Sequence, residues 1–510
     1  MQDGLPLAAV DLGSNSFRLE IGRFDEGQLQ RIQYLKETVR QGNGLDASGR
    51  LSQEAMQRGW DCLARFGERL RGFKPRQVRA VATQTLREAH NREEFISRGA
   101  QLLGFPIDVI SGPEEARLIY QGVAHLLPPS DERRLVVDIG GRSTELILGR
   151  GLAVGNLASF PVGSVAWSMR YFPEGRFTAK AFGQAEVAAK ALLDEAQQDF
   201  PRGAWDTAYG SSGTVGAVGD ILEALGSPHG VITREMLDLL RERMIQARSA
   251  DTLRFESLKD DRRAVLGGGV SVLCAVFDLL DIDRMQVAQG ALRQGALYDL
   301  LDRERPQTDL RAATVDSLAR RFAVDEVQAR RVSDIAARLF TMLDDAGDDA
   351  ERERRMRKLD WAARLHEVGC LVSHTDSHKH GGYILDNVDA PGFALPELHR
   401  LSLLVLGQRG KLRKVEPALN DRTFARMTLC LRLAVALCHA RRTPDLAGVA
   451  LVPLPDDRGW ALHLTQSWEM RFPQSAYLLQ EEVLCWQKTE WELELRSAPV
   501  PVKETRVSAL

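Results

Sequence analysis

Two acidic residues, each at the end of a short apolar run, are the first positions in this sequence where chemistry could occur. Asp11 lies in AAVDLGSNSF and Asp138 in LVVDIGGRSTE, 127 residues further along. Each pattern predicts a strand that ends in a tight turn, whose backbone N–H groups and hydroxyls can hold phosphate oxygens. Each aspartate is placed to hold a divalent metal or a water. The repetition predicts two similar half-domains that face one cleft and carry out phosphoryl chemistry.

An arginine and a pair of glutamates could complete such a site. In VATQTLREAHN a strand ends at Thr83, and Arg87 follows one helical turn later, where its fork suits a phosphate. The alternative is a surface arginine on a helix. In ISGPEEARLIYQGV, Ser111 and Glu114 match a capping box, which leaves Glu115 free to deprotonate a water. The alternative is that both glutamates merely favour the positive end of the helix.

Two glycine-rich segments further along could also approach the cleft. In YGSSGTVGAVG, Thr214 opens a predicted helix, which suits either a phosphate contact or a close helix–sheet crossing. In AQGALRQGALYD, the glycines permit close backbone approach and Arg293 is a candidate phosphate ligand. All these segments follow the carboxyl ends of predicted strands, where α/β folds bind ligands.

Composition limits the class of protein. A chain of 510 residues is too long for one core, so we expect three or four domains. The net charge of −3 gives no general attraction to nucleic acid. The six cysteines are scattered without CxxC spacing, which indicates neither a zinc site nor a disulfide framework. With no 18-residue apolar run and no basic-then-apolar start, we expect a cytoplasmic protein that does not insert into membranes.

Helix and strand patterns alternate in the front of the chain and then change. The first half predicts strands at 6–11, 17–24, 29–36, 78–83 and 107–110, and helices at 53–72 and 114–127. The second half predicts strands at 134–139, 144–149, 153–160, 207–210 and 284–288, and helices at 179–199, 213–224, 234–247 and 258–280. Beyond this point helices are predicted at 310–320, 325–344, 352–368, 395–407, 420–441 and 474–487, with strand patterns GVALVPL, WALHLTQ and WELELRS near the end.

The motifs together resemble one family. DLGSNSF, ATxxxRxAxN, ISGxEEARLIYQGV, VVDIGGxSTEL, GSSGTV and GALRxG look like the exopolyphosphatase / guanosine pentaphosphate phosphatase family, within the sugar kinase–Hsp70–actin superfold. The resemblance implies an α/β fold of two ribonuclease H-like (actin-like ATPase) lobes, followed by an all-α HD-like domain and a small α+β domain. The implied boundaries are 1–126, 127–303, 304–445 and 446–498, with a tail at 499–510.

The resemblance also implies roles for individual residues. Glu115 would be the general base, Arg87 would reach the terminal phosphate, and Mg²⁺ would lie near Asp138, Glu145 and Asp11. The implied phosphate-binding residues are Asp11, Gly13, Ser14, Asn15, Ser16, Thr83, Gly140, Gly141, Arg142, Ser143, Thr144, Ser212, Gly213, Thr214 and Arg293. The sequence departs from the family pattern at Arg142, where many members have a small residue, and at Ala288, Gln289 and Gln294, which replace Ser, Asp and Glu.

Several functions follow from the resemblance. We rank first a processive exopolyphosphatase that removes terminal phosphate from inorganic polyphosphate with Mg²⁺, and second cleavage of the 5′ γ-phosphate of guanosine pentaphosphate (pppGpp), or both. A kinase of the same superfold and a non-catalytic binder of polyphosphate or pppGpp are the alternatives from other classes. A homodimer is expected from the resemblance alone.

The back half offers weaker signals. DWAARLHEVGCLVSHTDSHKHGGYIL resembles an HD domain, yet the diagnostic His-Asp pair reads His366-Glu367. With His374, His378 and His380 nearby, we favour a helical domain without a metal of its own over a second metal site. The basic runs at 408–414 and 440–442 could line a channel for a polyanion or form a solvated face.

Overall fold

The protein consists of two units that do not coincide with two continuous stretches of sequence. The structure, a computed structural model, describes residues 4–25, 28–255, 258–303, 308–343, 349–455 and 458–497. One unit comprises Met1–Leu310 together with Pro391–Leu395, and the other comprises Arg311–Ala390 and Pro396–Leu510. No helix in the described ranges is both long enough and apolar enough to cross a membrane.

The first lobe of the first unit is built on a five-stranded sheet in the order β3-β2-β1-β4-β5. Strands β1, β4 and β5 run parallel, and β2 runs antiparallel between β1 and β3. Its strands are β1 (Pro6–Leu12), β2 (Phe17–Asp25), β3 (Gln28–Glu37), β4 (Val78–Ala82) and β5 (Ile107–Val109). Its helices are α1 (Gln53–Arg69), α2 (Gln84–Glu88), α3 (Arg92–Leu103) and α4 (Gly112–Ala124), with 3-10 turns at Gln41–Gly44 and Pro75–Gln77.

The second lobe repeats this arrangement. Its sheet has the order β10-β11-β9-β6-β7-β8, so β8-β7-β6-β9-β11 matches the first lobe and β10 is an antiparallel addition. The strands are β6 (Arg133–Ile139), β7 (Thr144–Arg150), β8 (Ala153–Phe160), β9 (Thr207–Ser211), β10 (Val231–Thr233) and β11 (Arg284–Val287). The helices are α5 (Ser164–Tyr171), α6 (Ala179–Leu192), α7 (Ala196–Asp199), α8 (Ser212–Ala224), α9 (Arg234–Ala247), α10 (Asp260–Arg263), α11 (Leu266–Leu279) and α12 (Leu292–Arg303), with 3-10 turns at Pro173–Gly175 and Arg202–Ala204. The predicted fold of two related α/β lobes is confirmed.

Helices α4 and α12 cross at backbone contact, which fixes the position of α4. A Cβ atom added at Gly295 would lie 1.8 Å from the carbonyl oxygen of Leu118. One added at Gly122 would lie 2.1 Å from the carbonyl oxygen of Ala291. Only glycine permits so close an approach of two helices. The start of α4 is thereby held over the edge where the parallel strands end.

The second unit is helical and ends in a small sheet of order β12-β13-β14. Its strands are β12 (Val449–Pro453), β13 (Gly459–Leu464) and β14 (Glu492–Ser497). Its helices are α13 (Leu310–Arg321), α14 (Glu326–Leu343), α15 (Asp349–Arg364), α16 (Ser377–Asn387), α17 (Leu395–Gly407), α18 (Glu416–Leu419), α19 (Arg422–Leu437), α20 (Gln466–Arg471) and α21 (Pro473–Trp486), with 3-10 turns at Val368–Leu371 and Leu412–Lys414. The predicted helical domain and small α+β domain are present. The domain boundaries stay predictions, and the predicted tail at 499–510 lies outside the described residues.

Two predicted helices are each divided in two. The helix predicted at 179–199 breaks after Leu192, because Leu193 leaves the helical region at φ −97°, ψ 3°. The helix predicted at 258–280 breaks at Val265, which has φ −111° and ψ 2°. The elements α3, α5, α12, α16, α18, α20 and β10 were not among the predicted ones.

Candidate active site

Asp11 and Asp138 occupy equivalent positions in the two lobes, but they face opposite charges. In the register of β1 and β2, Asp11 lies opposite Arg18, and Nη1 of Arg18 is 3.1 Å from Oδ2 of Asp11. In the register of β6 and β7, Asp138 lies opposite Glu145. The first lobe therefore contributes an ion pair to the cleft, and the second lobe contributes two carboxylates side by side.

The carboxylates of Asp138 and Glu145 carry negative charge that the protein does not neutralise directly. Both residues are buried, and within the described ranges neither forms an ion pair. Burial raises the pKa of Asp138 to about 6. Burial, with repulsion from Glu115 and Asp138, raises the pKa of Glu145 well above its ordinary value. Oε1 of Glu145 accepts a hydrogen bond from Ser159 Oγ at 2.8 Å. Such a pair favours a bound cation.

The two glutamates at the start of α4 have separate tasks. Ser111 caps the helix by accepting a hydrogen bond from the backbone N–H of Glu114 at 3.2 Å, as predicted. The other half of the predicted capping box is wrong. The carboxylate of Glu114 instead binds Arg117 with two contacts of 2.8 Å and the N–H of Gly392 at 2.8 Å, because buried cationic and backbone donors are better partners for it.

Glu115 projects into the cleft, where it meets Arg87. Nη1 of Arg87 is 2.8 Å from Oε2 of Glu115, as an ion pair without hydrogen-bond geometry, since Nη1 donates to the carbonyl of Ile110. Oε2 is buried and has no hydrogen-bond partner among the residues that the structure describes. Burial raises the pKa of Glu115, and Arg87 partly opposes this effect. The result is a buried carboxylate whose pKa is raised and which Arg87 holds in the cleft.

The first phosphate loop presents donors that the protein itself leaves unsatisfied. Nδ2 of Asn15 and Oγ of Ser16 are buried without hydrogen-bond partners in the described part of the chain. Oγ of Ser14 accepts a hydrogen bond from Thr85 at 2.8 Å. Buried polar groups are normally paired, and these orphan donors fit the oxygens of an anionic ligand. Thr83 precedes the first residue of α2, two positions before Thr85, and is also buried.

The second phosphate loop lies directly against the first. A Cβ atom added at Gly141 would be 3.0 Å from Cβ of Ser14, so the two loops are in contact. Nη2 of Arg142 lies 2.8 Å from Oε2 of Glu88 in the first lobe. The hydroxyl of Thr144 donates to the carbonyl of Val162 at 2.6 Å and is thus engaged in the fold. The backbone N–H of Gly140 is bound to the carbonyl of Ser143 at 2.9 Å and closes the turn.

The third glycine-rich segment forms a strained turn at the start of α8. Ser212 has φ +88°, which is rare for a residue other than glycine and occurs at functional sites. Its hydroxyl accepts hydrogen bonds from the N–H groups of Thr214 and Val215, at 3.1 and 3.3 Å. A Cβ atom at Gly213 would lie 2.1 Å from the guanidinium of Arg262. The guanidinium of Arg262 therefore packs against this turn, which the motifs did not reveal.

Arg293 reaches the cleft from α12. Its Nη1 is 3.6 Å from Oδ2 of Asp11, and its Nε is 3.2 Å from Oε2 of Glu20. Gln294, which replaces an acidic residue of the family pattern, donates to both oxygens of Glu20 at 2.9 and 2.7 Å. Gln294 thus neutralises no charge, but it holds the carboxylate that orients Arg293.

Asp138 and Glu145 fit a magnesium ion. The described residues contain no group of three His, Cys, Asp or Glu side chains arranged to hold a metal. Mg²⁺ commonly uses one or two protein carboxylates and takes its other ligands from water and substrate phosphates. Two adjacent buried carboxylates without a basic partner match that requirement. Asp11, already paired with Arg18, fits less well as a third ligand.

The histidines of the HD-like segment lie in the second unit. His366 is buried, and burial lowers its pKa. Burial lowers the pKa of His378 to about 4, and its Nε2 lies 3.1 Å from Nζ of Lys414. In the basic run at 440–442, Arg441 pairs with Asp325 and Glu367 at 2.7 and 2.6 Å. That the helical domain binds no metal stays a prediction.

Besides Arg262, sequence reasoning missed three residues of the site. Arg18 and Glu20 lie on β2, where alternation indicated only a strand. Gln41 is fully buried, and neither atom of its amide has a partner in the described ranges. The N–H of its neighbour Gly42 donates to the carbonyl of Ser14 at 2.8 Å, which places Gln41 beside the first phosphate loop. The two glycines that follow Gln41 in QGNG were the available signal.

Comparison with known proteins agrees with this geometry. Residues 21–304 match the Ppx/GppA phosphatase family, and residues 310–487 match its domain III. A guanosine-5′-triphosphate,3′-diphosphate pyrophosphatase of Vibrio atlanticus is 39% identical over 93% of this chain and 95% of its own. The protein of that name from Photobacterium profundum is 37% identical over 96% and 98%.

A solved structure of the Aquifex aeolicus Ppx/GppA family member is 25% identical, with a TM-score of 0.51, over 59% of this chain and 99% of that one. The structure of an exopolyphosphatase-like protein is 26% identical, with a TM-score of 0.53, over 58% and 98%. Since family models match residues 21–304 and 310–487 and two relatives are 37–39% identical over nearly the whole chain, the chain belongs to the Ppx/GppA phosphatase family and is a phosphoanhydride hydrolase.

Proposed function

We propose that the protein hydrolyses the terminal 5′ phosphate of pppGpp, which yields orthophosphate and guanosine tetraphosphate. The observation that carries this substrate is the alignment, over more than nine-tenths of both chains, with two relatives named for it. Sequence reasoning ranked polyphosphate first, because the motifs are common to both activities. The names of these two relatives favour pppGpp as the substrate over polyphosphate.

Glu115 is the general base of this reaction. Its carboxylate accepts the proton of a water that attacks the terminal phosphorus, while the bridging oxygen leaves with the nucleotide. The raised pKa of Glu115 brings the base closer to neutral pH, where general bases work best. Arg87 keeps the carboxylate ionised in its buried position.

The surrounding groups hold and neutralise the phosphates. The orphan donors of Asn15 and Ser16 bind phosphate oxygens from the first lobe, and Arg87 and Arg293 provide positive charge. Asp138 and Glu145 would hold Mg²⁺, which would supply charge neutralisation for the phosphates. These groups align a water and a good leaving group, which is most of what phosphoryl transfer demands.

Polyphosphate is a second candidate substrate. The exopolyphosphatase-like relative is 26% identical over the catalytic lobes, and a polyphosphate end presents the same terminal phosphoanhydride. Both activities would use the same base and phosphate loops.

The test compares orthophosphate release from pppGpp and from long-chain polyphosphate at equal concentrations of phosphate ends, with Mg²⁺ or with chelator. Anion-exchange chromatography identifies the nucleotide product. The Glu115→Gln variant should lose turnover on the preferred substrate by about 10²–10⁴-fold. The matched control is Glu93→Gln, an exposed glutamate on α3.

We expect faster release from pppGpp, with guanosine tetraphosphate as the product. Faster release from polyphosphate would return the assignment to the exopolyphosphatase activity. Orthophosphate release that persists in chelator would contradict the metal proposal. The homodimer and the cytoplasmic location stay predictions, and light scattering of the purified protein measures the first of them.

A further inference from the structure

A five-residue segment that lies about 80 residues beyond the end of the two lobes in sequence belongs to the catalytic unit. This strap, Pro391–Leu395, belongs to the first unit, although the residues before and after it belong to the second. The N–H of Gly392 donates to Oε2 of Glu114 at 2.8 Å, across 278 positions of sequence. The carbonyl of Gly392 accepts a hydrogen bond from Nη2 of Arg303. Both polar groups of this one residue are therefore held by charged side chains.

Those charged side chains form a buried network. Arg117 binds Glu114 and also lies 2.6 Å from Asp299, and Asp299 accepts from Nε of Arg303 at 2.5 Å. Arg79 lies 3.3 Å from Asp299. Removal of one partner from a buried ion pair strongly destabilises a protein, because the other charge is left buried and unpaired. The network therefore locks the strap and the start of α4 to each other.

The strap touches the first turn of α4 at the residue before the catalytic base. Glu114 immediately precedes Glu115, and its carboxylate is the one that holds Gly392. Ala394 is 1% exposed and packs in a hydrophobic cluster with Ile110 and Ala116. Glu114 thus depends on a strap contact for its position, and Ala116 shares a hydrophobic cluster with the strap.

We propose that the strap is a positioning element for Glu115, which sets the orientation of the carboxylate toward the attacking water. The inference rests on the proposed hydrolysis by Glu115. A misplacement of about 1 Å in a reacting group can reduce a rate by about 10²-fold, so loss of the strap contact should act on turnover. Because the strap continues directly into the second unit at both ends, this contact makes catalysis depend on that unit.

The variant that tests the strap is Gly392→Ala. Gly392 has φ +90°, a conformation that alanine adopts only with strain, so the substitution displaces the peptide held by Glu114 and Arg303. Gly72→Ala is the matched control, since Gly72 has φ +88° and an added Cβ would meet no described atom within 4 Å. We expect kcat to fall about 10–100-fold in Gly392→Ala with KM changed less than threefold, and neither constant to change in Gly72→Ala.

If the strap has only a structural role, the loss of kcat in Gly392→Ala does not depend on the presence of Glu115. The Gly392→Ala change is therefore repeated in the Glu115→Gln background, where a positioning role predicts no further loss of kcat. If Gly392→Ala does not fold, Arg303→Met removes the donor to the Gly392 carbonyl and keeps an apolar stem. It should give the same fall in kcat and the same dependence on Glu115.

The outcomes separate the two proposals. Wild-type kcat in both folded strap variants, or an equal loss with and without Glu115, overturns the positioning role. The proposed substrate fails instead if the wild-type protein hydrolyses only polyphosphate, and the strap is then measured on that substrate. A wild-type protein that hydrolyses neither anhydride overturns both proposals, because the strap inference requires the hydrolysis.

Discussion

Arg142 joins the two lobes through a pair with Glu88. Nη2 of Arg142 lies 2.8 Å from Oε2 of Glu88, and Nε donates to the same oxygen at 3.1 Å. Nη1 also donates to the carbonyl of Gly42 at 3.4 Å. The guanidinium that the sequence suggested as a phosphate contact is thus occupied by the opposite lobe. The pair holds the two phosphate loops against each other.

We predict that Arg142→Gln and Glu88→Gln each raise KM for the nucleotide by a similar factor, because each removes the same bridge between the loops. The double variant should show no further increase, since coupled partners are not additive. Unfolding free energy should change by at most about 1 kcal/mol, because the pair is partly exposed. Steady-state kinetics and thermal unfolding measure these effects. A much larger KM for Arg142→Gln than for Glu88→Gln would show direct phosphate contact.

Removal of a buried donor that has no partner in the free protein should lower substrate affinity without lowering folding stability. Ser16→Ala deletes a buried hydroxyl that has no partner among the described residues, so the free protein should keep or gain stability. Substrate affinity should fall about 10–100-fold, because a hydrogen bond to a charged group contributes about 1.5–3 kcal/mol. Calorimetric titration of the nucleotide into Glu115→Gln protein, with and without Ser16→Ala, measures the loss. The control is Ser48→Ala, an exposed serine bound to Asp46. Unchanged affinity would contradict the assignment of the first loop.

The metal-free protein should become less stable as the pH rises through the range in which Asp138 ionises. Burial raises the pKa of Asp138 from 3.8 to about 6 in the folded state, so the folded protein holds this proton more tightly than the unfolded chain does. The resulting stability is fully present below about pH 4 and is lost as the pH rises to about 6. Glu145 acts in the same direction.

Asp138→Asn removes this titration. The unfolding free energy of the variant, relative to wild type in chelator, should rise by about 1–2 kcal/mol between pH 5 and 7.5. Addition of Mg²⁺ at pH 7.5 should stabilise the wild type more than the variant. Chemical denaturation at both pH values measures the difference, and a constant offset between the two proteins would contradict it.

The crossing of α4 and α12 should tolerate no side chain. Gly295→Ala places a Cβ atom against the carbonyl of Leu118, which we expect to cost about 1–3 kcal/mol of stability and to lower turnover by displacing α4. The control is Gly183→Ala on α6, where an added Cβ meets no described atom within 4 Å. That change should stabilise the helix by about 0.5–1 kcal/mol. Equal unfolding midpoints for the two variants would contradict the tight crossing.

Local patterns predicted much of the front half. A strand, an aspartate and a glycine-rich turn depend on neighbours in sequence, so both lobes and both phosphate loops could be predicted from Asp11 and Asp138. Arg18 could not be found in this way, because its role comes from its register opposite Asp11 on another strand. The same limit explains why Glu114 was taken for a cap. Its partner Gly392 is 278 residues away, and no periodicity connects them.

The strap also bears on how the protein is made. A ribosome that has released the first 310 residues has produced all of the first unit except Pro391–Leu395. Glu114 then lacks the backbone N–H that it binds in the finished protein. The nascent catalytic lobes must wait for the first helices of the second unit before the base is held in place. A gene fragment that stops at the apparent end of the lobes would encode a hydrolase in that same unfinished state.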